Sequence, residues 1–395
     1  MKVAIVGGGA AGFFSAINIK EFLAQAEITI FEKSNKVLSK VLMSGGGRCN
    51  CTNSFEDVKN IKDVYPRGSN IINRLFKTFS WQDTCIWFEN HGVKFVEEDN
   101  GRMFPESQSS KTIVDSFLFY AKKYNIKIRT GTNIDSIEQL KDFDFIVLTV
   151  GGYSNDVLLQ DLKNRGHKIA KPLPSLFAFV LKEEGLRNLS GISVPNAELL
   201  LAGTKYKAKG DILVTHFGLS GPAILRLSSY AASYLNEKNY KHSLLVNWVG
   251  ENYLKTEGKI EEVLAQYPQK LISNVNPFAL PNNLWVYLLE KTLGERAKNK
   301  ISSLNRKDIN RLLNTLCSDN YNISKRYAHK EEFVTCGGVD FESLNPLSLQ
   351  SKHINNLYFA GEVLNIDGIT GGFNLQSAWT TAFVVAKSIS SSLSF

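Results

Sequence analysis

Val3-Ala4-Ile5-Val6-Gly7-Gly8-Gly9-Ala10-Ala11-Gly12 decides how this chain is read. Val3 to Val6 form an apolar run of strand type. The glycines at 7, 9 and 12 then fit the spacing G-x-G-x-x-G. A helix-like segment follows from Phe13 to Leu23, and Ile28-Thr29-Ile30-Phe31 reads as a second strand. That strand ends on Glu32, 20 residues after Gly12. Strand, glycine turn, helix, strand and acid, in this order, open a dinucleotide-binding α/β fold. Gly7 permits the tight turn, Gly9 lets a pyrophosphate approach the backbone, and Gly12 lets helix and strand pack closely. The helix start offers free N–H groups and a positive dipole end to phosphates. Glu32 is placed to accept hydrogen bonds from ribose hydroxyls.

A length of 395 residues predicts two or three domains, and 43% hydrophobic residues supply a sizeable core. No apolar stretch approaches the ~20 residues of a membrane helix, so no membrane partner is expected. No signal-peptide pattern precedes the first strand, which predicts a cytoplasmic protein. The net charge is +8, and basic residues thicken between Lys291 and Lys330. That stretch lacks interleaved aromatics and any recognisable nucleic-acid module. A solvated helical face is therefore preferred to a nucleic-acid contact, and a small molecule is the expected partner. The oligomeric state is left open. The five cysteines are odd in number and mostly scattered, which predicts reduced thiols. Cys49-Asn50-Cys51 is the one close pair; its C-x-C spacing is not the thioredoxin-like one, and no second pair completes a metal site.

Residues 1–175 alternate strand and helix signals. Ile71 to His91 has helical periodicity, Gly92 to Val96 reads as a strand, and Lys111 to Tyr124 reads as a helix. Ile126 to Arg129 is a strand, with Ile134 and Ile137 in apolar register after it. Phe143 to Val150 is a strand ending in Gly151-Gly152. After Pro172 and Pro174 the texture changes to short alternating runs, which predicts an antiparallel sheet or barrel over 176–255 and 319–335. Ile260, Val263, Leu264 and Tyr267, and again Ile309, Leu312, Leu313 and Leu316, follow helical spacing, which predicts a helical subdomain over 256–318. Residues 336–395 return to α/β texture, so the nucleotide-binding domain is read as split, with its last strand and helix supplied from the C-terminal end.

Three further segments carry chemistry. Ser44-Gly45-Gly46-Gly47-Arg48-Cys49-Asn50-Cys51-Thr52-Asn53 gathers backbone N–H groups and polar side chains fit to surround an anion or a ring edge. Phe359-Ala360-Gly361-Glu362 precedes Gly371-Gly372-Phe373-Asn374-Leu375, where a helix start faces whatever is bound. Thr215-His216-Phe217-Gly218-Leu219-Ser220-Gly221-Pro222 reads as strand, turn and helix start, with His216 a candidate acid or substrate contact.

With Gly101-Arg102-Met103-Phe104-Pro105-Glu106-Ser107, these segments resemble, in order along the whole chain, a bacterial flavoprotein family. Its FAD domain carries an inserted β-barrel and a helical domain. Members have been called aminoacetone oxidases and bile-acid 3-dehydro reductases. More distantly the chain resembles flavoproteins of the fumarate-reductase type. The resemblance implies an α/β fold, with a glutathione-reductase-like, Rossmann-type FAD-binding domain split by the β-barrel and helical insertion. It implies FAD held by Gly7, Gly9, Ala11, Gly12, Glu32, Lys33, Lys40, Gly46, Gly47, Arg48, Cys49, Asn50, Ile134, Gly151, Gly361, Glu362, Gly372, Phe373, Asn374 and Leu375. The adenosine end would sit near Glu32, Lys33 and Ile134, and the flavin ring near Arg48, Asn50 and Asn374. The implied activity is that of an FAD-dependent oxidoreductase, moving hydride between flavin N5 and a small organic substrate selected by the insertion. NAD(P)H is a possible reductant. The chain has no second glycine fingerprint, so a nicotinamide would have to bind at the flavin face. The alternatives are an oxygen-using oxidase of amine type and a non-catalytic FAD-binding sensor that contacts RNA.

Overall fold

The computed structural model describes residues 1–152, 156–327 and 334–392. The chain divides into two compact units, Met1–Pro174 with Phe333–Phe395, and Ser175–Glu332.

The first unit is built on a five-stranded parallel sheet. Its order is Leu357–Phe359, Phe145–Leu148, Lys2–Val6, Glu27–Phe31 and Lys127–Arg129. Four of these strands read as nearly unbroken apolar runs, as strands covered on both faces must. The helix Ala10–Phe22 is buried from Ala11 through Ile19. It lies against Phe373–Ser391, where Phe14 meets Trp379 at 5.2 Å between ring centroids. Phe79, Trp87, Phe88 and Phe117 complete this aromatic core. A small antiparallel sheet of Thr52–Asn53, Arg102–Pro105 and Phe95–Glu98 joins the unit.

Two details differ from the sequence reading. The helical stretch from Ile71 to His91 is two helices, Ser69–Leu75 and Trp81–Asn90. Ser80 starts the second with a capping box: its hydroxyl accepts from the Asp83 N–H, and the Asp83 carboxylate accepts from the Ser80 N–H at 2.7 Å. Residues after Ile134 do not extend a strand. Ser136 and Gln139 cap a short 3₁₀ turn, Ile137–Leu140, whose two apolar ends are buried.

The second unit contains a closed six-stranded antiparallel barrel. Its order is Ser193–Leu201, Lys207–Thr215, Gly218–Ser220, Phe179–Leu181, Asp319–Arg326 and His242–Asn247. Val194, Leu199, Ile212, Val214, Leu219, Val246 and Tyr321 fill its interior cluster. Helices Tyr253–Gln266, Asn282–Leu293 and Arg306–Ser318 add their apolar stripes to the same core. Four cations of the basic stretch that begins at Lys291 are answered by carboxylates. Lys291 lies 2.5 Å from Asp319, Arg296 2.6 Å from Asp308, Arg306 2.6 Å from Glu257, and Lys298 3.4 Å from Glu295. Its last residue, Lys330, falls outside the described residues.

Candidate functional site

Gly7 ends the first strand with φ +114°, a conformation open to glycine at little cost, and its N–H donates to the Phe31 carbonyl at 2.8 Å. A Cβ on Gly12 would lie 2.0 Å from the Gly7 oxygen, so helix and strand touch there through backbone. A Cβ on Gly9 would meet nothing within 4 Å. Gly9 is also the N-cap of Ala10–Phe22, and that helix end has neither a capping side chain nor an acidic residue in its first turn. Its first N–H groups precede the intrahelical ladder. The cradle thus has the space and the donors a pyrophosphate needs.

Glu32 is tied to the same turn. Its Oε2 accepts from the Gly8 N–H and its Oε1 from the Ser34 N–H, both at 2.8 Å. Each oxygen keeps a second lone pair for a ribose hydroxyl. Glu32, Lys33 and Ile134 line one cleft with Val6, Gly7 and Asn133. Thr149 was not singled out in the sequence. Its hydroxyl donates toward the carbonyls of Val6 and Gly7, at 3.0 and 2.9 Å, and fixes the strand end beneath the turn.

Glu362 is a second meeting point. Its Oε2 lies 2.7 Å from Lys40 Nζ, and its Oε1 accepts from the Thr335 N–H at 2.8 Å. A Cβ on Gly151 would stand 3.4 Å from the same carboxylate. Three of the expected cofactor residues, Lys40, Gly151 and Glu362, therefore converge. Ala11 and Gly361 contact each other: a Cβ on Gly361 would lie 2.7 Å from that of Ala11.

The loop 44–53 meets the last helix. Gly46 and Gly47 face open space. The Asn50 amide donates to the Thr52 carbonyl at 3.0 Å and accepts from the Gly372 N–H at 3.2 Å. Gly372 has φ +93° and stands 2.3 Å, by its hypothetical Cβ, from the Thr52 oxygen. The helix it opens, Phe373–Ser391, again has no capping side chain and no acidic residue in its first turn. Asn374 folds the preceding turn, accepting from the Gly368 N–H and donating to the Gly368 carbonyl, both at 2.8 Å. Phe373 is buried against Phe55 and Tyr65, and Leu375, two residues along, is half-buried. Arg48 is held locally, 2.7 Å from Glu98 and 4.1 Å over the Phe104 ring. Cys49 and Cys51 are free and buried. A hydrogen bond from Cys51 holds the Cys49 thiol below its ordinary range, and burial pushes the Cys51 thiol up.

Arg67 and Asp367 were also missed. Their side chains form a two-pronged ion pair, with Asp367 fully buried at the head of the turn that leads to Gly372. His216 is exposed in the barrel's hairpin turn after Thr215, with its ring edge-on to Phe217 at 5.0 Å. Among the described residues no group of three or more His, Cys, Asp or Glu is fit to hold a metal, and no helix is long and apolar enough to cross a membrane.

Residues 1–388 match the family described as HI0933-like protein Rossmann domain. The chain belongs to this family. It is a flavoprotein, an FAD-dependent oxidoreductase, and the glycine cradle described above fits the dinucleotide half of FAD. The chain is 28% identical to a ribosomal RNA dihydrouridine synthase of Escherichia coli, over 98% of this chain and 97% of that one. It is 26% identical to the ribosomal RNA dihydrouridine synthase of Haemophilus influenzae, over 98% of both. It is 24% identical to a 3-dehydro-bile acid delta(4,6)-reductase of Clostridium scindens, again over 98% of both. In fold it is similar to the 3-ketosteroid delta1-dehydrogenase of Sterolibacterium denitrificans, with a TM-score of 0.51, 12% identity and 99% of both chains covered.

Proposed function

We propose that this chain reduces a carbon–carbon double bond conjugated to a carbonyl, with a uracil of ribosomal RNA as substrate and NAD(P)H as the source of electrons. The observation that carries the reading is the chemistry shared by three relatives at 24–28% identity over nearly their whole lengths. Making dihydrouridine and reducing a 3-dehydro bile acid at delta(4,6) both add hydrogen across a double bond polarised by a carbonyl. Bound FAD supplies the two-electron hydride exchange such a reaction needs. The chain's own residues supply position and charge. The uncapped start of Phe373–Ser391 presents N–H donors and a positive dipole end with no carboxylate in its first turn to oppose them. Such an end holds negative charge. Asn50 fixes that end through Gly372. A uracil is favoured over a steroid because two of the relatives are named for ribosomal RNA and the chain carries +8 net charge.

The test is anaerobic. NADPH or NADH should bleach the flavin of the purified protein. Ribosomal RNA transcribed in vitro should then restore its colour and gain two hydrogens at a uridine, read by mass spectrometry. Recovery of colour by a 3-oxo-delta(4,6) steroid and not by RNA would replace the substrate. Bleaching by amines and not by nicotinamides would make the chain an oxidase.

Two residue roles belong to this proposal. Glu32 holds the adenosine ribose. Losing charge-assisted hydrogen bonds of this kind costs about 1.5–3 kcal/mol each, roughly ten- to hundredfold in affinity. Glu32→Ala is therefore expected to purify largely without FAD. It should also unfold earlier, because the N–H groups of Gly8 and Ser34 lose their acceptor. Chromatography of the released cofactor reads the first effect, and full FAD occupancy after dialysis would place the ribose elsewhere. His216 contacts substrate and donates a proton. His216→Ala should lower turnover with FAD still bound; unchanged turnover returns His216 to a structural part in its hairpin.

A further inference from the structure

We propose that the barrel-bearing unit carries a docking surface for single-stranded RNA at one hairpin, where exposed Lys205, Lys207 and Lys238 accompany the half-buried rings of Tyr206, Tyr234 and His242. The proposal rests on RNA being the substrate and names where the RNA is gripped.

Charge is unevenly divided between the two units. Ser175–Glu332 holds 21 Lys and Arg against 15 Asp and Glu, a net +6, while the rest of the chain holds 25 against 23, a net +2. In the stretch beginning at Lys291, where basic residues are densest in sequence, four of the cations are partly neutralised. Lys291, Arg296, Lys298 and Arg306 each face a carboxylate.

The barrel hairpin between Ser193–Leu201 and Lys207–Thr215 is different. Its return carries Lys205-Tyr206-Lys207, in which both lysines are exposed and Tyr206 packs at the edge of the barrel core. The Tyr206 N–H donates to Thr204 Oγ1 at 3.1 Å, while the Tyr206 carbonyl accepts from the Leu201 N–H. Helix Ala232–Glu237 and the turn after it lie against this hairpin. The Tyr206 and Tyr234 rings are 5.6 Å apart and tilted by 41°. His242 is edge-on to Tyr234 at 5.2 Å, and its Nε2 lies 2.9 Å from the Ala202 carbonyl oxygen, which ties the start of strand His242–Asn247 to the hairpin. Lys238 Nζ stands 5.8 Å from the Tyr234 centroid. All three lysines are exposed and both tyrosines half-buried. None of the three lysines forms an ion pair among the described residues. Glu237 is the acidic residue of that helix and is exposed beside them.

Cations spaced around aromatic edges suit a flexible polyanion whose flat bases are unstacked. A duplex would offer phosphates but no free base faces, and an acidic protein would offer charge without stacking. Sequence alone hides the surface, because Tyr206 and Tyr234 stand 28 positions apart and meet only when the barrel closes.

The experiment uses the FAD-loaded full chain and a fluorescein-labelled single-stranded RNA of mixed sequence, with binding read by anisotropy across a salt series. Lys205→Glu/Lys207→Glu/Lys238→Glu should weaken binding at least tenfold. It should also flatten the slope of log affinity against log salt by about 2, the sum for three phosphates at about 0.7 each on a single strand. Tyr206→Leu keeps an apolar side chain at the core's edge and removes the ring; it should weaken binding about five- to hundredfold with little change in slope. Lys127→Glu/Lys163→Glu, on exposed positions of the other unit, controls for net charge and should bind nearly as the parent does. FAD content and bleaching by NADPH should be the same in all of these. Parent-like RNA binding by the triple variant would overturn the surface while leaving the substrate reading intact if the parent still forms dihydrouridine. A parent that neither binds nor modifies RNA would overturn both. Equal binding of the parent to vesicles of anionic phospholipid, lost in the same variants, would overturn the RNA assignment in favour of a membrane surface.

Discussion

Gly9→Ala is expected to yield a folded protein that purifies nearly colourless, and Gly12→Ala one that loses both FAD and stability. The two positions lie three residues apart in one motif, and the structure separates their tasks. A Cβ at Gly9 meets nothing within 4 Å, and the residue's φ of −94° is open to alanine. The fold therefore tolerates the methyl group. On the placement of FAD proposed for this cradle, the space it enters is the one the pyrophosphate takes to reach the first N–H groups of Ala10–Phe22. Pushing the phosphates off one or two charge-assisted bonds at about 1.5–3 kcal/mol each lowers FAD affinity by about tenfold to about ten-thousandfold. A Cβ at Gly12 would instead stand 2.0 Å from the Gly7 oxygen and 2.9 Å from Thr149 Oγ1. Helix and strand must part to admit it, and overpacking of this kind costs about 1–3 kcal/mol, with backbone rather than a yielding side chain in the way. Urea denaturation of the cofactor-free proteins distinguishes the two. Gly9→Ala should match the parent's midpoint and Gly12→Ala should fall below it. Equal midpoints for both, or full FAD occupancy in Gly9→Ala, would contradict this division.

That contrast also shows where the sequence is informative. The cradle is a local object. Gly7, Gly9, Gly12 and Glu32 lie within 26 residues, so spacing alone places them together. The split of the nucleotide-binding fold was legible for a related reason: Leu357-Tyr358-Phe359 has the unbroken apolar texture of a strand covered on both faces, and it does pair in parallel with Phe145–Leu148. The barrel showed itself through alternation in its long strands, such as Lys207–Thr215, whose residues are alternately exposed and buried over most of its length. What stayed hidden has large sequence separation and no periodic signature. Lys40 and Glu362 were each named through family resemblance, but their pairing across 322 positions was not readable. The Asn50 amide reaching Gly372 joins two loops that resemble each other in nothing but glycine content. Strands of two or three residues, such as Thr52–Asn53 and Phe179–Leu181, are too short to show a period at all.

The Arg67–Asp367 pair is the largest of these hidden features in energetic terms, and Arg67→Met is expected to be among the most destabilising single changes outside the apolar core. Asp367 is fully buried, and the Arg67 guanidinium meets both of its oxygens. The partners come from two short loops that also pair as an isolated bridge. Removing the arginine leaves a carboxylate in the interior without its main counter-charge, which costs about 3–5 kcal/mol. Methionine keeps much of the stem's volume, so the loss reports charge and not a void. The effect should reach the cofactor. Asp367 opens the turn that Asn374 braces and Gly372 ends, and that turn aims the start of Phe373–Ser391. FAD retention should therefore fall along with the urea midpoint. The companion variant is Arg67→Met/Asp367→Leu. Replacing a buried ion pair by apolar groups of similar size is often neutral, so the double variant should recover most of the midpoint lost by Arg67→Met. A recovered midpoint with FAD retention still impaired would assign the pair to shaping the turn as well as to stability. A midpoint for Arg67→Met within about 1 kcal/mol of the parent would show that water or a neighbouring donor satisfies Asp367, and that the pair does not hold this turn in place.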